Sequence, residues 1–405
     1  MNVLVIGGGA SGMVAAIYAA KQGNKVTILE KNKVLGKKIL VTGNGKCNYY
    51  NEDQNDIHYH SSNLDILKQI VTVDKKEEML KFFNSIGIIP KIKNGYYYPN
   101  SNQATSIQTA LIKEIDLRNI NIIFEEEVID ISYQQKFIVT TNCKQYQADK
   151  VIIATGSKAA PKTGSDGKGY ELAKKFGHTI IKPLPALVSL IGDENYLKDW
   201  AGIRSDVEVS LYENNQFIKK EIGEIQLTNT GISGICVFQL SGIVARGLEE
   251  GKKEQIKINF LPFIKEDFIN WMNQRNELVK NRTISELLDG LLNYKLVNLI
   301  LKLSNIKRED YWNSLDQKKK LKLSQNLLEF SFDVTKTNSY DQAQVCSGGV
   351  SLLEVDSITL ESKKQKGLYF TGELLDVNGD CGGYNLTFAF ISGMMAGKNA
   401  GGLDD

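Results

Sequence analysis

The chain has 405 residues, 42% of them hydrophobic and 24% charged, with a formal net charge of +2. At about 150 residues per domain it should form two or three domains, and this composition excludes disordered, collagen-like and coiled-coil classes. No apolar run approaches the roughly 18 residues of a membrane span, and so small a net charge argues for neither a nucleic-acid nor an acidic partner.

The first residues, MNVLVIGGG, lack the basic n-region of a signal peptide. The five cysteines are scattered and odd in number, so no disulfide framework is expected and a cytoplasmic location is. Only six arginines are present, and the runs Lys318–Lys322 and Lys363–Lys366 read as solvated faces.

NVLVI is a short apolar run suited to a buried parallel strand. GGGASG follows, then a helical stretch, MVAAIYAAKQG, stopped by Gly23, and a second strand, KVTILE. This is a β-α-β unit of about 30 residues. A glycine- and asparagine-rich loop covers 36–51. Helices are expected over Lys75–Ser85 and Ser106–Leu117, with a hairpin over Ile88–Pro99 turning at Asn94-Gly95. Residues 120–155 are strand-rich. Beyond Pro183 and Pro185, residues 187–260 read as short β segments around turns such as Asn214-Asn215, and 263–330 as helical. From about Ala343 the chain returns to glycine-rich strand and loop. The expectation is an α/β fold in which residues 1–186 and 343–405 build one nucleotide-binding domain. It is interrupted by a β-rich part (187–262 and about 331–342) and a helical part (263–330).

Gly7, Gly9 and Gly12 form G-x-G-x-x-G between a strand and a helix. The first glycine allows the tight turn, the second admits a pyrophosphate, and the third lets helix and strand pack closely. The helix N-terminus then offers free N–H groups to phosphate. Glu30 closes the second strand 18 positions beyond Gly12, where a carboxylate accepts from a ribose hydroxyl. A glycine turn used only for packing leaves Glu30 unexplained. VIIATGS at 151–157 is a buried strand of the kind that often closes the FAD domain of two-dinucleotide-domain flavoproteins, which favours FAD over NAD. GLYFTGE then leads through a loop holding Asp376 into a small-residue helix opened by Gly382-Gly383. An aspartate there can bind ribitol hydroxyls, and the helix N-terminus can face the flavin N1 and O2, where charge builds on reduction.

The segments GKKILVTGNGKCN (36–48), LTNTGISG (227–234), GGV (348–350), TLESK (359–363) and GLYFTGELLDVNGDCGGYNL (367–386) together resemble the HI0933-like flavoproteins. That family includes an aminoacetone oxidase, bile-acid reductases and a ribosomal RNA dihydrouridine synthase. The resemblance implies a two-dinucleotide-binding-domain-type Rossmann FAD domain with an inserted β-barrel-like domain and a helical domain. It also implies non-covalent FAD contacts at Gly7, Gly9, Ala10, Ser11, Gly12, Glu30, Lys31, Lys38, Thr42, Gly43, Asn44, Val128, Thr155, Gly156, Gly372, Glu373, Asp376, Gly383, Tyr384 and Asn385. Asn229, Cys236 and Thr387 depart from the common pattern on the presumed substrate side, so the substrate stays open.

Reduction of a C=C bond needs a hydride at one carbon and an acid near the other. The candidates in glycine-rich loops are Cys381, Tyr384 and Cys346. Cys381 is the most pointed, because a thiol at a helix N-terminus tends toward a lowered pKa; a small inert cysteine is the competing reading. Cys47 is also flavin-proximal on this reading. His58 and His60 form His-x-His without further ligands, so they read as surface residues; no metal is expected, and histidine acid–base chemistry has little support. No second G-x-G-x-x-G follows, so the flavin is expected to be reduced by NAD(P)H docking transiently over the ring, by the substrate itself, or by another protein, with transient NAD(P)H the leading expectation. The leading expectation is an NAD(P)H-dependent reductase of an activated C=C, in an enone-type small molecule or a uracil ring of ribosomal RNA. The alternatives are an FAD-dependent oxidase of a small amine and an RNA-binding flavoprotein with structural FAD.

Overall fold

The computed structural model describes residues 1–402. The described residues divide into two compact units, residues 1–184 with 344–402 and residues 185–343, each built around its own hydrophobic cluster.

The first unit opens with β1 (Asn2–Ile6), α1 (Ala10–Lys21) and β2 (Lys25–Glu30). Later come β3 (Tyr59–His60), β4 (Asn121–Phe124) and β5 (Lys150–Ile153), and the C-terminal segment adds β6 (Leu368–Phe370), β7 (Asn378–Gly379) and α2 (Tyr384–Gly401). A parallel five-stranded sheet runs in the order β6-β5-β1-β2-β4. Val3 to Ile6 and Val151 to Ile153 are all buried, as expected of strands covered on both faces. Between β1 and β5 the strand order reverses, and in open α/β sheets ligands bind outside the carboxyl ends of the strands at such a point.

Helices α1 and α2 pack against each other because both carry small residues. A Cβ on Gly393 would lie 2.4 Å from the Ser11 carbonyl, and one on Gly397 would lie 2.3 Å from that of Ala15. A helix from the start of the chain thereby joins one from its end.

The hairpin forms as Pro90–Lys93 and Tyr96–Pro99, with Asn94 and Gly95 both at positive φ. Tyr50–Asn51 pairs with its second strand. The segment Val73–Ser85 is helical, as is Ala104–Leu117.

The second unit holds a seven-stranded sheet. Its longest hairpin, Arg204–Glu213 with Gln216–Leu227, turns at Asn214 and Asn215, both left-handed. Residues Ile235–Glu249 depart from the β expectation and form a helix. The β-branched residues suggested strands, but Cys236, Val237, Leu240, Ser241, Val244 and Ala245 fall at helical spacing and are all buried. Four helices follow, over Phe268–Leu278, Ile284–Asp289, Tyr294–Leu303 and Gln317–Leu328. Trp200 and Trp312 are fully buried in this unit's core.

Candidate functional site

The site begins at the turn after β1. Gly7 has φ +98°, and a Cβ there would lie 2.6 Å from the Ala154 carbonyl beyond β5. A Cβ on Gly12 would lie 1.9 Å from the Gly7 carbonyl, which is why helix and turn close so tightly. Gly9 caps α1 without any side-chain hydrogen bond, and no atom lies within 4 Å of where its Cβ would be. The first N–H groups of α1 therefore lack a side-chain cap beside open space.

Glu30 ends β2 with its carboxylate spanned by the loop. Gly8 N–H donates to Oε2 at 2.7 Å, and Asn32 donates to Oε1 from its backbone at 2.8 Å and its side chain at 2.6 Å. Past β5, the Thr155 hydroxyl is buried without a hydrogen-bond partner, and Gly156 has φ +75°. Ser11, at the start of α1, accepts from the Thr371 hydroxyl at 3.1 Å. Gly372 N–H donates to Ser392 at 2.9 Å.

Lys38 pairs with Glu373 at 2.7 Å, and Ser157 donates to the same carboxylate oxygen at 2.9 Å. Lys31 pairs with Asp166 at 2.7 Å. Thr42 donates its hydroxyl to the Ile39 carbonyl, and Gly43 and Asn44 follow as consecutive left-handed residues. Val128 is buried at the head of strand Val128–Tyr133. Asp376 accepts from Ser62 N–H at 2.9 Å. Asn385 clasps Gly379, donating to its carbonyl and accepting from its N–H, both at 2.8 Å. Gly383 caps α2 at φ +100°, where a Cβ would lie 2.8 Å from Tyr50 backbone atoms.

These observations fit an FAD. An uncapped helix N-terminus beside open space suits a pyrophosphate. A carboxylate fixed at the tip of β2 suits a ribose hydroxyl. The orphaned Thr155 hydroxyl and a second helix N-terminus without a side-chain cap, at Gly383, add donors along the carboxyl ends of the strands.

The thiols correct the expectation. Burial, with the neighbouring Asp380 carboxylate, pushes the Cys381 thiol up to about 12. Cys381 lies two residues before the N-cap Gly383, outside the first turn where a helix terminus acts, and burial and the Asp380 charge both disfavour the thiolate. Burial also raises Cys346, and takes Cys47 up to about 12. Tyr384 is 2% exposed, and its hydroxyl is held well above the usual range by burial.

His58 and His60 are corrected too. They are not bystanders on the surface: His58 Nδ1 lies 3.0 Å and His60 Nε2 2.8 Å from the two oxygens of Asp380. The His58 ring stacks on Tyr384 at 4.7 Å. Sequence reasoning missed this cluster because Asp380 lies more than 300 residues away; the scarcity of histidine, three in the chain, was the only hint. His178 is buried, bonded to Ser362 at 2.6 Å and held down to about 4 by desolvation.

Residues 1–399 match the HI0933-like protein Rossmann domain. The chain belongs to the HI0933-like family. A 3-dehydro-bile acid delta(4,6)-reductase of Clostridium scindens is 39% identical over 400 residues, covering 98% of each chain. A ribosomal RNA dihydrouridine synthase of Haemophilus influenzae is 30% identical, covering 96% of each. A flavocytochrome c3 fumarate reductase in its open conformation shares the fold at TM-score 0.50 and 16% identity, over 99% of this chain and 78% of that one. This HI0933-like protein carries a Rossmann-type FAD-binding domain and is an FAD-dependent oxidoreductase. No helix among its described residues is long and apolar enough to cross a membrane.

Proposed function

We propose that this HI0933-like protein is an NAD(P)H-dependent reductase of an activated C=C bond in an enone-type small molecule. The observation that carries this reading is the full-length 39% identity to a delta(4,6)-reductase of 3-dehydro-bile acids. Bound FAD would supply two-electron hydride chemistry. The chain's own residues would hold it: Gly7, Gly9, Ala10, Ser11 and Gly12 at the pyrophosphate, Glu30 and Lys31 at the ribose, and Val128 near the adenine. Lys38, Thr42, Gly43, Asn44, Thr155, Gly156, Gly372, Glu373 and Asp376 would line the remaining length, with Gly383, Tyr384 and Asn385 at the flavin. Residues 1–186 and 343–405 would form that domain, with a barrel-like β insert (187–262 and about 331–342) and a helical insert (263–330). With the thiols pushed upward, Cys381 and Cys346 are poor proton donors near neutral pH.

A uracil ring of ribosomal RNA is the second reading, favoured by the 30% identity to a dihydrouridine synthase. The net charge of +2 supports the small molecule instead.

An anaerobic titration of the yellow holoprotein with NADPH and NADH tests the proposal. Bleaching of the flavin band, followed by recovery on adding a 3-oxo-4,6-diene bile acid, is expected. No bleaching with either nicotinamide overturns the NAD(P)H-dependent reading. Bleaching followed by recovery with ribosomal RNA alone moves the substrate to the uracil ring.

A further inference from the structure

The segment Asp56–His60 is tied to the loop that leads into α2. Strands β3 and β7 pair antiparallel, His60 with Asn378 and Tyr59 with Gly379, and Asp380 N–H donates to the His58 carbonyl at 2.9 Å. The Asp380 carboxylate, 6% exposed, is bridged by His58 Nδ1 and His60 Nε2. On its other side, His58 Nε2 lies 3.0 Å from Asp53 Oδ2. Both ring nitrogens of His58 thus face a carboxylate. A neutral imidazole has one donor and one lone pair, so only the imidazolium satisfies both contacts. Its face lies on the Tyr384 ring at 4.7 Å with the planes 19° apart, where a cation is favoured.

Tyr384 is the first residue of α2, and its ring is also edge-on to Tyr59 at 5.5 Å. Between Asp380 and Tyr384 lie only Cys381, Gly382 and Gly383, the two glycines at φ +139° and +100°. The groups facing His58 are therefore Asp53 from the 51–55 loop, Asp380 from the glycine loop, Tyr384 from α2, and Tyr59 and His60 from the strand β3 that follows it. Loss of the proton would leave a lone pair against a carboxylate and slacken that loop.

We propose that His58 is a positioning residue for the flavin end of the site: its imidazolium, held between Asp53 and Asp380, fixes the glycine loop before α2 and links the hold on reduced FAD to proton binding. Reduction places negative charge at the flavin N1/O2 edge, which the N–H groups and dipole of a helix N-terminus stabilise. A cation stacked on the first residue of that helix adds to the same field. By linkage, reduction must then tighten the proton on His58. The proposal rests on assigning the N-terminus of α2 to the flavin edge.

The test is proton NMR of the three histidines in the full-length holoprotein, oxidised and then photoreduced without oxygen, from about pH 5 to 9. The proton affinity of His58 should be about fivefold or more higher in the reduced form, with His178 unmoved. Equal affinity in the two forms overturns the role. A second measurement follows the midpoint potential of FAD against pH. His58→Asn should lose the inflection and fall below wild type in the acid range, whereas His60→Asn, which does not stack on Tyr384, should keep it. An unchanged profile in His58→Asn overturns the role. Asn385→Ala touches the loop but not His58. If it shifts the potential while His58 is blind to redox state, only the His58 role fails; if it leaves the potential unmoved, the flavin-edge assignment fails with it.

Discussion

Glu30 and Cys381 are opposite cases of a single residue under two influences. The Glu30 carboxylate takes three hydrogen bonds from Gly8 and Asn32, so its position at the end of β2 is set before any ligand arrives. Glu30→Ala should raise the FAD dissociation constant about 10- to 100-fold, as expected for a lost hydrogen bond to a charged group, measured by flavin fluorescence titration of the apoprotein. Cys381 stands two residues before the N-cap of α2, and desolvation together with the Asp380 charge keeps it a thiol at neutral pH. Iodoacetamide at mildly alkaline pH should label Cys143, which is exposed, and spare Cys47, Cys236 and Cys381, whose thiols are raised by burial. Peptide mass mapping reads this directly, and early labelling of Cys381 would contradict the burial argument.

Between elements, contact distance decides. The crossing of α1 and α2 is held open for backbone approach by Gly393 and Gly397. Gly397→Val must push against the Ala15 carbonyl and the Tyr18 side chain. It should destabilise the protein by about 1–3 kcal/mol, the range for overpacking, visible as a lower Tm and weaker FAD retention. In the second unit, Glu254 opposes Glu213 across paired strands. It is 1% exposed, and both its carboxylate oxygens lack a hydrogen-bond partner. Burial and Glu213 raise it to about 7. The folded state thus holds this proton more tightly than the unfolded chain. Stability is full below the ordinary carboxylate range and falls as pH rises toward about 7, by on the order of 1–3 kcal/mol. Glu254→Gln should remove that part of the pH dependence in urea unfolding between about pH 4.5 and 7 and should be the more stable protein at neutral pH.

At the scale of the whole molecule, the cofactor domain is assembled from both ends of the chain. Strand β6 lies beside β5 at the edge of the parallel sheet, and α2 packs on α1. A chain ending at residue 366 keeps G-x-G-x-x-G and Glu30 intact, yet loses that strand and that helix. It should purify without yellow colour, if it folds at all, and should not bind added FAD in a filtration assay. Retention of stoichiometric FAD would show that the N-terminal β-α-β unit suffices.

Features whose causes are local could be read along the chain. The apolar run of β1, the glycine turn, the small-residue helix and Glu30 lie within 30 residues, and their periodicity and spacing are enough to identify a dinucleotide site. The turns at Asn94-Gly95 and Asn214-Asn215 were legible for the same reason, since few residues accept positive φ. Helix Ile235–Glu249 was not, because its β-branched residues resemble strand sequence until burial picks out one face. What depends on distant partners was settled by the fold. It set Asp380 against His58 and His60, paired Lys38 with Glu373 and Ser157, and placed the Cys381 thiol where desolvation and the Asp380 charge raise it. Charge and desolvation act through space, so no pattern along the chain records which acid will meet which base or which thiol will be dry.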